Sequence, residues 1–564
     1  MVIRRVKKGN SIYLYEYKSY RENGKVKTKF VRYLGVEGDE PKIPKPKKPR
    51  YQVLYPQRSK KYGDIALLWW VAEKANFVQI IDKITTGRVT TNGTSPGRLL
   101  TAWAINRLLQ PESATQLCKW IITTDLPRLM GVKEDSISKD CLLSALDMVC
   151  CHDPESDLMI DFTNHIDDAL YQFWRSNISF PDPEGETLAY DLTSVLFYGE
   201  NCPLVEKGYN TRHSRQKQVN YTLFISKKDS YPLAQCIFPG NYSSLTTVNS
   251  LLVRIQEMAL IPGSIIWDRG NTTTDTINTI EHLKWKIITA IPKRTNEVKD
   301  ILASTMVPMD MENMVPLKKN GEVYAIQRIT QLFSTERKLT ICFNPEIANS
   351  DRRERNFALK RIKVELDLIQ SKCKNNCKLQ VIQSKVKKAI NGWGIFVEYE
   401  IKEDIQGYSL IWSFNQKNIQ RASDMDGKAL FYATNSALDA EEVIKQYFSK
   451  DSIEKVFRCL KSEEELEPVR HLLEQRVRAY FFVCSLAYRL LAALKWFILN
   501  APKNGNTEII GARELLRSLN RVERCEIEDS ERKEIVYLNV LKKISSQIED
   551  MGLDLFHDQT VCST

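Results

Sequence analysis

The sequence has no framework of paired cysteines. Its 13 cysteines are odd in number and scattered, with Cys150 and Cys151 adjacent. A disulfide-stapled secreted module is therefore excluded, and a reduced interior is expected. Cys373 and Cys377 have no second Cys/His pair near them, so no zinc-site pattern is complete. The opening MVIRRVKKGN lacks the apolar stretch of a signal peptide. The most apolar run, YFFVCSLAYRLLAALKWFIL from Tyr480, is broken by Arg489 and Lys495. Those charges predict a buried helix rather than a membrane span. A general excess of charge is missing too. Residues 1–61 hold 18 Lys and Arg against 5 Asp and Glu, so this segment carries +13 of a total of +11 and the rest of the chain is slightly acidic. A basic charge confined to one end points to a polyanionic partner met by that end.

What is present describes a folded, multidomain protein. The chain has 564 residues, 43% hydrophobic and 27% charged, a composition of packed cores and more length than one ordinary domain uses. SIYLYEYKSYRENGKVKTKFVRYL (11–34) alternates aromatic or β-branched with polar residues around Asn23-Gly24, the pattern of a hairpin with a two-residue turn. Lys25, Lys27 and Lys29 belong to its polar set, and a basic β-ribbon of this kind either lies along a DNA groove or is simply a soluble hairpin. We place a basic hairpin over 1–38 and a Pro/Lys linker over 39–61, centred on EPKIPKPKKPR.

From 62 to 180 the periodicity is helical and predicts an all-α domain without a specific DNA-binding motif. At about 186 the period switches to strands. The succession ETLAYDLTSVLFYG, VNYTLFISKK, YPLAQCIFPG, a helix, SIIWD, a second helix and KWKIITAIP has the order β, β, β, α, β, α, β. That is the layout of an RNase H-like α/β core, with its first part at 186–292. A β-rich insertion is expected over 293–435, completion of the core over 436–500, and a helical C-terminal region over 501–564.

Two aspartates stand where such a core places chemistry. Asp191 lies inside an apolar strand, and Asp268 ends SIIWD before Arg269-Gly270. A carboxylate in a core strand is costly unless it is paired or holds a cation, whereas Asp268 also suits a helix cap. Further on, YFSKDSIEKVFRCLK (447–461), written as one helix, puts Tyr447, Lys450, Glu454 and Lys461 on a face opposite an apolar stripe. Such a face is either solvated or functional.

These residues resemble one large group of DDE insertion-sequence transposases, whose signature is Y-(2)-R-(3)-E-(6)-K. Tyr447, Lys450, Glu454 and Lys461 keep its spacing, with Lys450 in place of Arg. Asp268-Arg269-Gly270 is similar to that group's D-x-G-x-x-F motif, with Thr273 where the aromatic residue stands. AYDLTSVLF, DGKALFYATN (426–435), the run starting at Val469 and the hairpin end RYLG extend the resemblance over nearly the whole chain.

The resemblance implies a triad of Asp191, Asp268 and Glu454 holding Mg²⁺, with Mn²⁺ as a substitute, for cut-and-paste transposition. It implies that Tyr447, Lys450 and Lys461 hold phosphates. It also implies terminal inverted repeats and target DNA as partners, a homodimer in a synaptic complex, and a prokaryotic, cytoplasmic, nucleoid-associated protein. Arg212, His213, Arg215 and Lys217, in the link between the first two core strands, either approach the cut phosphate or form a basic turn. Trp393 and Trp412 either stack a flipped base or fill the insertion's own core. Two rivals stay open: another RNase H-like nuclease, and a transposase-derived protein that binds DNA without cutting it.

Overall fold

The computed structural model describes residues 1–38, 58–85, 93–153, 155–156, 158–183, 185–198, 202–208, 216–317, 321–372, 378–404, 407–467, 469, 471–502, 509–528, 533–556 and 560–562. The chain forms two compact units, one of residues 1–57 with 527–533 and one of residues 58–526 with 534–564.

In the smaller unit the expected hairpin is the larger part of a three-stranded antiparallel sheet, Val2–Lys8, Ser11–Glu22 and Lys25–Val36. Asn23 (φ 51°) and Gly24 (φ 75°) make its turn, the pair of positive-φ positions that suits the right-handed twist of the strands.

The larger unit is built on a ten-stranded sheet. Its path runs Pro232–Pro239, Lys217–Ser226, Thr187–Leu196, Ser264–Trp267, Lys286–Ile291, Lys428–Ala433, Thr335–Phe343, Gly321–Leu332, Met314–Leu317, and the tenth strand, Glu206–Lys207, pairs with Lys217–Ser226 off this path. The first three are antiparallel, and Ser264–Trp267 runs parallel to both Thr187–Leu196 and Lys286–Ile291. This realises the β, β, β, α, β, α, β order read from the sequence. The central strands are short and apolar on both faces, as parallel strands covered by helices must be. Ile265 and Trp267 point into one cluster with Val248 and Ile277, while Ile266 points into another with Ile288, Val443 and Ile444.

Three helices of the 62–180 region start on capping serines. Ser95, Ser113 and Ser138 each accept a bond from the amide three residues on, satisfying one of the free donors of a helix start. The region is not an all-α body with its own core, because it packs around the helix Glu474–Asn500 in one continuous cluster and carries a short hairpin, Cys150–His152 with Met159–Asp161. Glu474–Asn500 is long and apolar enough to cross a membrane. Here it is buried within the protein, with Arg489 paired to Asp167 at 2.9 Å, both side chains at 0% exposure. Arg175 of the helix Thr163–Asn177 ties this region to the sheet through Glu186 and Asp229.

Three boundaries differ from the sequence reading. Arg58–Lys61, assigned to the linker, is a strand paired with Glu523–Glu528. The insertion is mixed rather than β-rich. Four of its strands, Met314–Leu317, Gly321–Leu332, Thr335–Phe343 and Lys428–Ala433, belong to the main sheet. It also holds helices Asn296–Ser304 and Gln416–Asp424 and two further helices, Pro345–Lys372 and Leu379–Ala389, beside a hairpin, Val397–Asp404 with Gly407–Phe414. A small core of Ile362, Leu366, Val386 and Leu410 closes this part, and Trp393 and Trp412 pack against it. The C-terminal region contains strands Glu523–Glu528, Lys533–Leu538 and Thr560–Cys562 beside its helices. Local alternation in short strands was outweighed there by the helical segments on either side.

Candidate active site

Parallel pairing sets the two aspartates side by side. Ser264 pairs with Thr187, Ile265 with Leu188 and Ile266 with Ala189. Continuing that register two residues brings Asp268 opposite Asp191, at the C-terminal end of the shorter strand. In open α/β sheets this is where crevices and sites form. Side chains alternate along a strand, so Asp191 shares the face of Ala189 and Asp268 that of Ile266.

The segment covering that face is not the single helix expected. Ala440–Phe448 is one helix and Asp451–Arg458 another, joined by Ser449 and Lys450. The joint is tightened by bonds of three-residue reach, Lys450 N to Tyr447 O at 3.2 Å and Ile453 N to Lys450 O at 2.9 Å. The second helix passes into a π-turn over Cys459–Glu463. Tightening at one end and widening at the other redirects side chains that a uniform helix would align. The first helix seats Val443, Ile444 and Tyr447 on Ile266 and Ile288, and the second seats Ile453, Val456 and Phe457 in the cluster of Ala189 and Tyr221. The pair therefore straddles the two aspartates.

Three donors converge on one oxygen of Asp268. The Tyr447 hydroxyl donates to Oδ1 at 2.9 Å, the Lys450 ammonium stands 3.0 Å from it, and the Arg269 amide donates at 2.8 Å. The Lys450 ammonium also lies over the Tyr447 ring, 4.8 Å from its centre. Burial opposes the charge on Asp268, but Lys450, the amide and the phenol outweigh it and hold the carboxyl below the ordinary range. Burial, followed by the Asp268 charge and hydrogen bond, pushes the Tyr447 phenol far up, so it stays a donor.

Asp191 has the opposite environment. It is half-buried and accepts from its neighbour's amide, Leu192 N, at 2.8 Å. Burial pushes its carboxyl up to about 6; the Leu192 amide and Lys450 oppose this, and the charges of Asp268 and Glu454 add to it. Glu454 sits exposed on the second helix. The charges of Asp268 and Glu454 thus bear on Asp191, which burial already makes hard to ionise.

The remaining expected residues distribute unevenly. Lys461 is carried by the π-turn, beyond the helix that holds Glu454. It donates to the Ser194 carbonyl, on the Asp191 strand, and lies 3.5 Å from Glu467. Lys217 begins the second core strand, where Gln218 pairs with Leu196, while Leu223 pairs with Asp191. It therefore stands about 20 Å along the sheet from Asp191. Arg212, His213 and Arg215 lie outside the described residues, and Lys25, Lys27 and Lys29 belong to the small N-terminal sheet.

Glu464 was missed by the sequence reading. It is fully buried just after the π-turn, accepts a bond from the Cys459 thiol at 3.3 Å, and is pushed by burial up to about 8. No periodic signal marks it, because the π-turn that buries it is invisible to a helical wheel.

The donor chemistry suits a hard cation: three carboxylates, no thiol or imidazole, and repulsion at Asp191 that a cation would relieve. Among the described residues no three His, Cys, Asp or Glu side chains are close enough to share an ion. Lys450 holds the Asp268 oxygen instead.

The site therefore combines a mixed sheet, two aspartates on adjacent parallel strands and a glutamate on a covering helix. The family model for the transposase DDE domain matches residues 183–490. More than half of the chain lies in that match, and the protein belongs to the DDE transposase family. No curated protein matches the chain. Among solved structures, the piggyBac transposase synaptic complex with hairpin DNA aligns with 82% of this chain and 80% of its own at 9% identity and a TM-score of 0.39. That likeness is too distant to bear on fold or chemistry.

Proposed function

We propose that the protein is a prokaryotic cut-and-paste transposase that cleaves DNA at its element's ends and joins the freed ends to target DNA. The observation that carries this reading is the juxtaposition of Asp191 and Asp268 on parallel strands under the Glu454 helix. Asp191, Asp268 and Glu454 would hold Mg²⁺, or Mn²⁺ in its place. The bound cation supplies activation of the attacking hydroxyl or water and stabilisation of the leaving oxygen.

The chain's own residues do the rest. Tyr447 fixes the Asp268 carboxylate, and Lys461 fixes the strand carrying Asp191 through the Ser194 carbonyl. Both are positioning residues. Lys450 is the one cation of the signature at the mouth of the site. On DNA binding it passes from Asp268 to a phosphate beside the cut, where it positions the strand without reading sequence. Lys217, with Arg212, His213 and Arg215, contacts the backbone farther along. Lys25, Lys27 and Lys29 contact the terminal inverted repeats. A homodimer would hold two ends in one synaptic complex, in the cytoplasm at the nucleoid.

The test is a mobility assay in cells. A resistance marker is placed between the few hundred base pairs that flank the gene on each side, and the protein is supplied separately. Marker copies at new sites, with the donor site excised, support the reading. A marker that never leaves its donor while the protein is abundant and folded overturns it.

A further inference from the structure

The N-terminal sheet divides along its length. Val2–Lys8 pairs with Ser11–Tyr17 and no farther. From Lys18 to Lys29 the hairpin therefore runs on as a two-stranded ribbon, with pairs Lys18–Lys29, Ser19–Thr28, Tyr20–Lys27, Arg21–Val26 and Glu22–Lys25. The base and the ribbon differ in chemistry as well as in strand number.

The base is held by aromatic rings on one face. Tyr15 lies 5.3 Å from Tyr33, Tyr17 lies 5.8 Å from Phe30, and the Arg4 guanidinium sits over the Tyr17 ring at 4.9 Å. Every residue from Ser11 to Tyr17 is half-buried. The ribbon has no such packing: its residues from Lys18 to Lys27 are all exposed.

Directly opposed residues of an antiparallel pair point the same way, and alternate residues share a face. Lys18, Lys25, Lys27 and Lys29 consequently lie on one face of the ribbon, with Tyr20 among them. One acid shares that face, Glu22, 2.7 Å from Lys27. Such a row of amines has no structural use within the ribbon. Its self-repulsion is a cost that a polyanion removes.

We propose that the ribbon, residues 18–29, enters the major groove of double-stranded DNA with its lysine face against the backbone. This rests on the DNA-acting role given above and deepens it. It assigns the contact to one half and one face of the sheet, and adds Lys18 and Tyr20 to the lysines already named. The size fits: five residue pairs span about 17 Å, and a two-stranded ribbon is admitted by a groove about 12 Å wide. The aromatic base stays outside and sets the angle at which the ribbon projects.

The test uses the full chain carrying Glu454→Gln, which leaves bound DNA uncut, and a duplex from the element end. Affinity is followed by fluorescence anisotropy across a salt series. The triple substitution Lys18→Gln, Lys25→Gln, Lys29→Gln is expected to lower the salt slope by about 3, about 1 per lysine, and to weaken binding at least a hundredfold near 0.1 M salt. The matching triple substitution to Arg is expected to restore both. Netropsin, which fills the minor groove, is expected not to compete.

Unchanged slope and affinity in the Gln triple, or displacement by netropsin, would overturn the ribbon assignment while leaving the catalytic reading intact. Conversely, ribbon-dependent binding by a wild-type chain that never moves its marker would overturn the catalytic reading and leave this one standing. The substituted lysines are exposed, so thermal unfolding is expected to be unchanged, and that measurement separates lost contact from lost fold.

Discussion

The buried Tyr447 hydroxyl donates to Oδ1 of Asp268 across 2.9 Å, on the same oxygen that the Lys450 ammonium meets at 3.0 Å. A phenol and an amine from the joint between two helices therefore preset a carboxylate at the end of a core strand. Substituting Tyr447→Phe removes one donor and leaves the ring packing. A hydrogen bond to a charged group contributes roughly 1.5–3 kcal/mol. End cleavage is expected to fall by about tenfold to a hundredfold with little change in melting temperature, measured in single-turnover assays. Unaltered cleavage would show that the phenol is only filler.

Lys450 helps to hold the Asp268 carboxyl below its ordinary range. In Lys450→Met the Asp268 carboxyl is expected to titrate higher, the effect of losing an adjacent cation, and Lys450→Arg is expected to leave it in place. Carboxyl-selective NMR titration of the metal-free chain reads this directly. No movement in Lys450→Met would mean that the ion pair is absent in solution.

The pH dependence follows from Asp191, whose carboxyl is pushed up to about 6 by burial, with the neighbouring acids adding to it. Its folded value lies above the unfolded value near 4, so the native state binds the extra proton between those pH values. Stability from this group is lost as pH rises through about 6. Asp191→Asn is thus expected to raise the melting temperature at pH 7.5 and to lose that advantage near pH 4. Mg²⁺ is expected to raise the melting temperature of the wild type at pH 7.5 and not that of the variant. The melting-temperature difference between Asp191→Asn and the metal-free wild type is expected to grow as pH rises through 6. A flat profile from pH 5 to 8 would contradict the environment described for Asp191.

Buried charge also supports the frame. Arg489, in the central helix, pairs with Asp167 at full burial, and burial raises the Asp167 carboxyl to about 6 even against this partner. Arg489→Leu strands that carboxylate and is expected to destabilise the chain by about 3–5 kcal/mol, seen in urea unfolding. Asp167→Asn added to it is expected to recover part of the loss. Equal stability of wild type and Arg489→Leu would contradict the pairing.

Much of the site was legible because strand chemistry is local. Asp191 interrupts an apolar strand and Asp268 ends another, and the period-2 pattern was enough to place both. The sequence could not show that Ser264–Trp267 pairs in parallel with Thr187–Leu196, Ser264 beside Thr187 and Ile266 beside Ala189, but the β, β, β, α, β, α, β order made their adjacency expected. What failed was the assumption of a uniform helix over 447–461. The tight joint at Ser449–Lys450 and the π-turn at Cys459–Glu463 arise from packing on two separate clusters. Neither leaves a trace in a wheel projection, so Lys461 was set beside Glu454 although it reaches Ser194. The insertion misled for a related reason: Gly321–Leu332 and Thr335–Phe343 read as strands, but nothing local says that they join the main sheet.

In the proposed reading, Asp191, Asp268 and Glu454 form one cation-dependent cutting site. The most direct measurement incubates the purified chain with DNA covering the regions on both sides of the gene, with and without Mg²⁺. Wild type is compared with Glu454→Gln and with Glu463→Gln, a nearby exposed glutamate paired to Arg513. The account predicts Mg²⁺-dependent cuts at two fixed ends for wild type and Glu463→Gln, and none for Glu454→Gln. Cutting that survives in Glu454→Gln, or that proceeds equally without the cation, would contradict it.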